Sequence, residues 1–224
     1  MDKQYYVWSS NPDSEWGEIR TNYFNINPEY SKRFWVVDNF YSDPDSVRHF
    51  ALNQQFFPGE GAVGYRTRKQ FFIEGVKEAI ENIMDKKISE DGDHSWYYAG
   101  INGRFQYCVA GTNTVYHCDE QQYAALIYLT PDAPPQCGTT FFRHKQTKRR
   151  HAKEIQWDKG EGLQVFPGNT FLDKTPYESV DVVGNVYNRL VIFDGGLIHS
   201  ASEYFGHDIN TCRLHHMFFF NCVS

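Results

Sequence analysis

The strongest constraint on the fold is a series of short apolar and aromatic runs that extends from Trp96 to the C-terminus. Turn residues separate these runs, and the series lacks the 3.6-residue periodicity of amphipathic helices. Aromatic residues make up 17% of the chain, and large flat side chains favour strands. The pattern predicts a β sandwich or barrel. Its candidate strands are 103–109, 114–119, 123–129, 139–144, 188–194 and 212–220.

The first 95 residues have a different character, because helices follow a strand there. The run 34–41 predicts a strand, and Asp43 before a proline predicts the cap of a helix over 44–55. Apolar residues at helical spacing predict a second helix over 75–88. The stretch 57–71 between the helices is rich in Gly and Arg and predicts an irregular loop. We therefore expect a mainly β (α+β) fold with N-terminal helices packed on one sheet.

Length, charge and cysteine usage restrict the class of protein. The 224 residues show no shift in composition and predict one domain, 1–224, in which 1–95 support a β core over 96–224. A net charge of -6 makes nucleic acid an unexpected partner and favours a small molecule or a protein. Five cysteines without paired spacing predict reduced thiols, and no stretch has the apolar length of a membrane span. We expect a cytoplasmic protein that does not bind membranes; the oligomeric state stays open.

A candidate metal site begins at the sequence His117-Cys118-Asp119. If this segment is extended, His117 and Asp119 lie on one face and Cys118 on the other. A His-x-Asp pair alone is a weak signal, but an apolar run also leads through Asp194 and two glycines to His199. Two histidines and one carboxylate form the facial triad of non-haem Fe(II) oxygenases, which leaves metal positions open for other ligands.

The last apolar run carries a cation that suits a carboxylate ligand. The planar guanidinium of Arg213 can donate two parallel hydrogen bonds to one carboxylate, although an ordinary ion pair is its alternative role. Arg143, on the run 139–144, is a second candidate for the same ligand. His215 shares a face with Arg213 by strand alternation, and either contacts the ligand or is a core histidine.

These residues give the region 103–220 a resemblance to the prolyl-hydroxylase-like branch of the Fe(II)- and 2-oxoglutarate-dependent dioxygenases. The CGTTFF and RLVIFD runs, which begin at Cys137 and Arg189, are similar to two strands of that branch. The resemblance implies a double-stranded β-helix, that is, a jelly-roll or cupin-like barrel. It also implies Fe(II), 2-oxoglutarate and O2 as cofactors, with ascorbate as reductant.

The resemblance assigns a role to each candidate residue. His117, Asp119 and His199 would be the catalytic residues that bind the iron, and Arg213 would bind 2-oxoglutarate. Tyr107, ten residues before the first histidine, and Tyr128 would contact the cosubstrate, as His215 would in one of its two alternatives. The branch commonly has Arg-x-Ser where this chain has Arg-Leu-His, and residues 157–187 form an insert.

The implied activity is that of a hydroxylase, with release of succinate and CO2. Protein side chains, amino acids and other small molecules all remain possible substrates. One alternative is a non-catalytic cupin-like protein that binds a metal or ligand. Another is a nucleic-acid demethylase of the same superfamily, in which the basic stretch 144–154 would contact phosphates. A solvated loop is the ordinary role of such a stretch.

Overall fold

Ten strands in two antiparallel sheets dominate the computed structural model, which describes residues 32–59, 63–97, 100–167 and 172–223. The strands are β1 (Phe34–Val37), β2 (Phe56–Pro58), β3 (Tyr65–Thr67), β4 (Arg104–Cys108), β5 (Tyr123–Tyr128), β6 (Thr139–His144), β7 (Tyr177–Val183), β8 (Leu190–Asp194), β9 (His199–Ala201) and β10 (Arg213–Phe220). The α-helices are α1 (Pro44–Leu52), α2 (Val76–Met84) and α3 (Glu161–Val165), and two short 3-10 turns cover Ala152–Glu154 and Trp157–Lys159. The predicted mainly β class is confirmed. No described helix has the length and apolar character needed to cross a membrane.

The centre of the larger sheet is β10, which pairs with β5 on one side and β4 on the other. The strand order is β1-β8-β5-β10-β4-β3-β2 in the seven-stranded sheet and β7-β6-β9 in the three-stranded sheet. Side chains alternate along β10, so that Leu214 and Phe218 enter the helix-side core while Arg213 and His215 line a cavity on the opposite face. The alternation gives the larger sheet two buried faces with different chemistry.

Helices α1 and α2 cover the apolar face of the larger sheet. Ala51 of α1 and Ile80 of α2 belong to one buried cluster with Ile127 and Phe218 of the sheet. Helix α1 begins where the sequence predicts, because the Asp43 carboxylate accepts a hydrogen bond of 3.0 Å from the Ser46 amide. The opposite face packs partly against the smaller sheet through residues such as Phe141, Val191 and Phe193.

Several predicted boundaries are wrong. The segment 114–119 forms only an isolated bridge at His117 instead of a strand. The predicted loop 57–71 contains β3 and part of β2, because β3 pairs with β4 and this tertiary pairing outweighs the loop-like composition. The presumed insert 157–187 contains β7, which pairs with β6. The predicted domain bounds of 1–224 stay a prediction, since residues 1–31 lie outside the described residues.

His216 is a buried histidine on the helix-facing side of β10. Its Nε2 lies 3.0 Å from the Phe71 carbonyl and 3.2 Å from the Gly103 carbonyl, so this nitrogen carries a proton and donates. Its Nδ1 lies 2.8 Å from the Tyr41 hydroxyl and accepts from it. Burial lowers the pKa of His216 to about 4, although both carbonyls favour the charged form. The imidazole is therefore neutral near pH 7.

Replacing His216 with glutamine should flatten the acid side of the stability curve. In the unfolded chain this histidine binds a proton near pH 6.5, whereas in the folded chain it does so only near pH 4. Stability that is present above pH 6.5 is therefore lost as the pH falls towards 4, at about 1.4 kcal/mol per pH unit. Denaturant unfolding of both proteins between about pH 7.5 and about pH 4.5, a range that covers most of this window, measures the difference. Parallel curves would show that His216 does not contribute this proton linkage.

Candidate metal centre

Two segments from distant parts of the chain hold the candidate metal ligands in place. His117 and His199 form an antiparallel bridge, in which their backbone N–H and C=O groups bond reciprocally at 3.1 and 2.9 Å. The Asp119 amide donates to the Gly195 carbonyl at 2.7 Å. A Cβ at Gly195 would lie 2.3 Å from the Gln121 carbonyl oxygen. A glycine is therefore needed at this position for the two segments to approach each other.

The side chains of His117, Asp119 and His199 converge, with one ligand atom from each lying within 4.8 Å of the others. The Nε2 atom of His117 lies 3.3 Å from Asp119 Oδ1, and that of His199 lies 3.4 Å from Asp119 Oδ2. Adjacent ligands of an octahedral ion with bonds of about 2.1 Å lie about 3 Å apart, so this spacing suits a single divalent ion. Cys118 packs instead with Tyr116 and its neighbours, as the alternation predicts.

The hydrogen bonds of the two imidazoles leave the right atoms for a metal. His117 Nδ1 lies 3.0 Å from the Val115 carbonyl, and His199 Nδ1 lies 2.8 Å from the Leu197 carbonyl. Carbonyls only accept, so each Nδ1 carries a proton and each Nε2 can present a lone pair. Among the described residues, the buried Asp119 Oδ2 has no hydrogen-bond donor. Two Nε2 atoms and an anionic oxygen that converge in this way form a ligand set that fits a divalent metal.

The electrostatics favour an ionised Asp119 and a neutral His199, and they favour a proton on His117. Burial opposes ionisation of Asp119, but the neighbouring histidines outweigh it and lower the pKa of the carboxyl. Burial lowers the pKa of His199 to about 4. Burial also opposes protonation of His117, but the hydrogen bond to Asp119 and its charge outweigh it and raise the pKa. A metal ion must therefore displace a proton mainly from His117.

The candidate centre faces a cavity of about 810 Å³. Small-molecule sites commonly have volumes of about 300–1,000 Å³. The wall includes apolar side chains from the larger sheet, such as Leu126, Phe193 and Phe219, and polar ones from both sheets. Among the described lining residues, Asp119 is the only carboxylate.

Arg213 lines this same cavity and is only 3% exposed. Its guanidinium makes three long contacts, of 3.3 Å to the Cys137 carbonyl, 3.4 Å to the Gly138 carbonyl and 3.3 Å to His215 Nδ1. In the part of the chain that the structure describes, no carboxylate forms an ion pair with it. A buried cation without a counter-ion is costly, and an anionic ligand in the cavity would relieve that cost.

His215 lies beside Arg213 on the cavity wall. Burial and the Arg213 charge hold its pKa well below the usual range, so the imidazole is neutral. Its Nδ1 faces the guanidinium and can accept from it, which leaves Nε2 as a donor. The structure thus places His215 at the cavity, where it can contact a ligand.

The two predicted tyrosine contacts have different positions. Tyr107 lies opposite Leu214 in the β4–β10 register, so its side chain points to the helix side, where its ring stacks on Tyr65 at 4.9 Å. Tyr107 does not line the cavity. Its position therefore gives no support to the predicted cosubstrate contact, which stays a prediction. Tyr128 is fully buried behind the wall, with its hydroxyl 2.7 Å from Thr139 Oγ1 and its ring 5.2 Å from the Arg213 guanidinium. It can position Arg213 and Thr139, which both line the cavity.

Arg143 is not placed to serve as an alternative to Arg213. A bulge between Phe141 and Phe142 interrupts the register of β6 just before it. Arg143 is partly exposed, bonds to Glu178 at 2.9 Å and does not line the cavity. The basic stretch that follows is likewise paired with acids, since Lys148, Arg149 and Arg150 form ion pairs with Glu178, Glu161 and Asp181.

Arg66 of β3 and Gln106 of β4 are among the polar lining residues that sequence reasoning missed. Arg66 lies in the stretch predicted as an irregular loop, so it had no expected orientation. Gln106 is next to Tyr107 in the chain and points to the opposite face. The alternation in GRFQYCV could have identified Gln106 only if the register of β4 against β10 had been known.

Comparisons with known proteins found one family model and several similar solved structures. A family of unknown function, DUF6445, matches residues 111–220, and no curated protein matches the chain. One similar structure is a prolyl hydroxylase from Trichoplax adhaerens in complex with a peptide fragment of the hypoxia inducible factor oxygen degradation domain. It is 13% identical, has a TM-score of 0.47, and the match covers 84% of this chain and 82% of that chain. HygX from Streptomyces hygroscopicus, with nickel, 2-oxoglutarate and hygromycin B bound, is 11% identical with a TM-score of 0.49 and coverages of 84% and 82%. A Pseudomonas putida prolyl-4-hydroxylase is 13% identical with a TM-score of 0.42 and coverages of 85% and 93%. The similar structures therefore include prolyl hydroxylases, and an Fe(II)/(alpha)ketoglutarate-dependent dioxygenase, TqaL, is also among them.

Proposed function

We propose that the protein is an Fe(II)- and 2-oxoglutarate-dependent dioxygenase that hydroxylates its substrate. One observation supports this most strongly: the His117, Asp119 and His199 set faces the same cavity as Arg213, a buried arginine without a carboxylate partner among the described residues. The reaction converts R–H, 2-oxoglutarate and O2 into R–OH, succinate and CO2. One oxygen atom of O2 enters R–OH and the other enters succinate. Substrate and 2-oxoglutarate each supply two electrons.

The protein side chains bind and orient the reactants. His117, Asp119 and His199 would hold Fe(II) through Nε2, a carboxylate oxygen and Nε2. Bound Fe(II) would supply the one-electron chemistry that these side chains lack. Arg213 would hold the far carboxylate of 2-oxoglutarate through two charge-assisted hydrogen bonds, and the neutral His215 beside it can donate a third. Apolar residues of the cavity wall would exclude water from the reaction.

The fold assignment is part of this proposal. We infer that the facing sheets form the double-stranded β-helix of this class, with the core over 96–224 and the supporting elements over 1–95 in one domain. The position of the candidate centre between β9 and the segment before β5 supports that inference. O2 and ascorbate are the further requirements that the mechanism implies.

The structure bears differently on the two alternative functions. A nucleic-acid demethylase would use the basic stretch 144–154 on phosphates, but three of its cations pair with acids of this chain. A non-catalytic binding protein would keep the metal and the cavity without turnover. Turnover therefore decides between the proposal and the binding protein.

Purified protein should form succinate from 2-oxoglutarate when supplied with Fe(II) and ascorbate, slowly even without its substrate. Removing the metal with a chelator should abolish succinate formation, and adding Fe(II) back should restore it, because three protein ligands define one exchangeable site. Succinate is measured by chromatography, with and without candidate peptides and amino acids. If no condition yields metal-dependent succinate while the protein still binds metal, the non-catalytic alternative is the better explanation.

A further inference from the structure

Three polar side chains form a row across neighbouring strands of the cavity wall. Arg66 of β3 lies directly opposite Gln106 of β4, and Gln106 lies directly opposite His215 of β10. All three line the cavity that the candidate centre faces. Directly opposite side chains of antiparallel strands are neighbours on the same face of the sheet. The row therefore leads from the Arg213–His215 pair to a second arginine in the same space.

Arg66 is held in place, but most of its guanidinium is available to a ligand. Its Nε donates to Gln106 Oε1, and this is its only hydrogen bond to a described residue. Its two terminal nitrogens have no hydrogen-bond acceptor among the described residues, and no described carboxylate forms an ion pair with Arg66. The side chain is partly buried, so water screens it less than a surface arginine. The terminal nitrogens thus present a charged pair of donors to the cavity.

The sum of the charges in the cavity also favours the binding of one more anion. Arg66 and Arg213 bring two positive charges and Asp119 one negative charge, and these are the charged residues among the described lining residues when the histidines are neutral. Fe(II) and 2-oxoglutarate carry opposite double charges and cancel each other. One positive charge is then left, which a ligand with a single negative charge would neutralise.

We propose that Arg66, oriented by Gln106, binds a carboxylate of the substrate, so that the substrate is a carboxylic acid such as an amino acid or a related small acid. This inference rests on the proposed function, in which Arg213 holds 2-oxoglutarate and leaves Arg66 for the substrate. The planar pair of terminal N–H donors matches the two oxygens of a carboxylate. Gln106 acts as a positioning residue, since its amide oxygen holds Nε of Arg66.

Calorimetric titration tests this on the protein loaded anaerobically with Fe(II) and saturating 2-oxoglutarate. The probes are acetate, benzoate and N-acetylglycine, each compared with its primary amide, together with inorganic phosphate. The variants are Arg66→Gln and, as the matched control, Arg68→Gln. Arg68 is a neighbouring exposed arginine whose guanidinium lies 3.9 Å from the Phe57 ring centroid, and it does not line the cavity. Both substitutions remove one positive charge.

Wild type and Arg68→Gln should bind at least one acid more tightly than its amide, by about 10- to 100-fold. The neutral amide cannot accept the two charge-assisted hydrogen bonds that the Arg66 guanidinium donates to a carboxylate. Arg66→Gln should bind both members of that pair equally. The same acid preference in Arg66→Gln, or no acid preference in wild type, overturns the proposal. Tighter binding of phosphate than of every acid overturns the assignment to a carboxylate.

The affinity for 2-oxoglutarate separates this inference from the proposed function. Arg66→Gln should bind 2-oxoglutarate as wild type does. If Arg66→Gln loses that affinity instead, Arg66 is the cosubstrate residue, and the substrate assignment fails while the proposed function stands. If the iron-loaded wild type does not bind 2-oxoglutarate, the proposed function fails, and the acid–amide titration of the iron-loaded protein still reports on Arg66.

Discussion

Asp119→Ala should abolish metal-dependent succinate formation, whereas Cys118→Ala should retain it. Asp119 is the only carboxylate among the described cavity residues, and both histidine Nε2 atoms lie within 3.4 Å of its oxygens. Its loss removes the anionic ligand of the proposed iron site. Cys118 is the matched control, because it is adjacent in the chain but packs in a separate apolar cluster with Tyr116.

Iron affinity distinguishes a lost ligand from a general fault in folding. Asp119→Ala should bind Fe(II) more than about 100-fold more weakly, since even the loss of an outer-shell partner costs 10- to 100-fold. Cys118→Ala should bind Fe(II) like wild type. Equilibrium dialysis under anaerobic conditions measures both, and thermal unfolding verifies that each variant is folded. Equal loss of iron from both variants would mean that the ligand assignment is wrong.

The candidate triad was accessible to sequence reasoning because its geometry depends on local rules. Alternation in an extended segment is enough to place His117 and Asp119 together and Cys118 apart, even though the segment is not a regular strand. The apolar run that leads through two glycines to His199 can also be recognised in the sequence, and in the structure Gly195 lies where the two backbone segments approach closely. Neither inference needs knowledge of how the sheets are ordered.

Features that depend on strand register were not accessible in the same way. Tyr107 has the expected spacing from His117, but its face is set by pairing with Leu214, and the sequence does not specify that register. The same pairing puts Gln106 into the cavity. Arg66 becomes part of the wall only because β3 adds to the edge of β4, which is a long-range contact that composition does not predict. The choice between Arg143 and Arg213 likewise depended on the bulge in β6 and on Glu178.

Arg213→Ala should raise the concentration of 2-oxoglutarate needed for half-saturation by roughly two to three decades. A buried carboxylate that loses its charged partner costs about 3–5 kcal/mol, and each 1.4 kcal/mol corresponds to about tenfold in affinity. Iron affinity should barely change, because Arg213 is not among the three converging ligands. Arg213→Lys should recover only part of the loss, since an ammonium supplies the charge without the planar pair of donors.

Arg143→Ala is the control for this result, because it also removes an arginine but from a partly exposed ion pair with Glu178 outside the cavity. Titrating 2-oxoglutarate into each anaerobic iron complex, followed by the metal-to-ligand absorption band, gives the affinities of the four proteins. We expect the affinity of Arg143→Ala to match that of wild type, that of Arg213→Ala to be weakest and that of Arg213→Lys to lie between them.

If the affinity of Arg213→Ala matches that of wild type instead, the long contacts of Arg213 to the Cys137 and Gly138 carbonyls serve the fold alone, and another cation must hold the cosubstrate. Arg66 would then be the first to examine, because it is the other arginine among the described cavity residues.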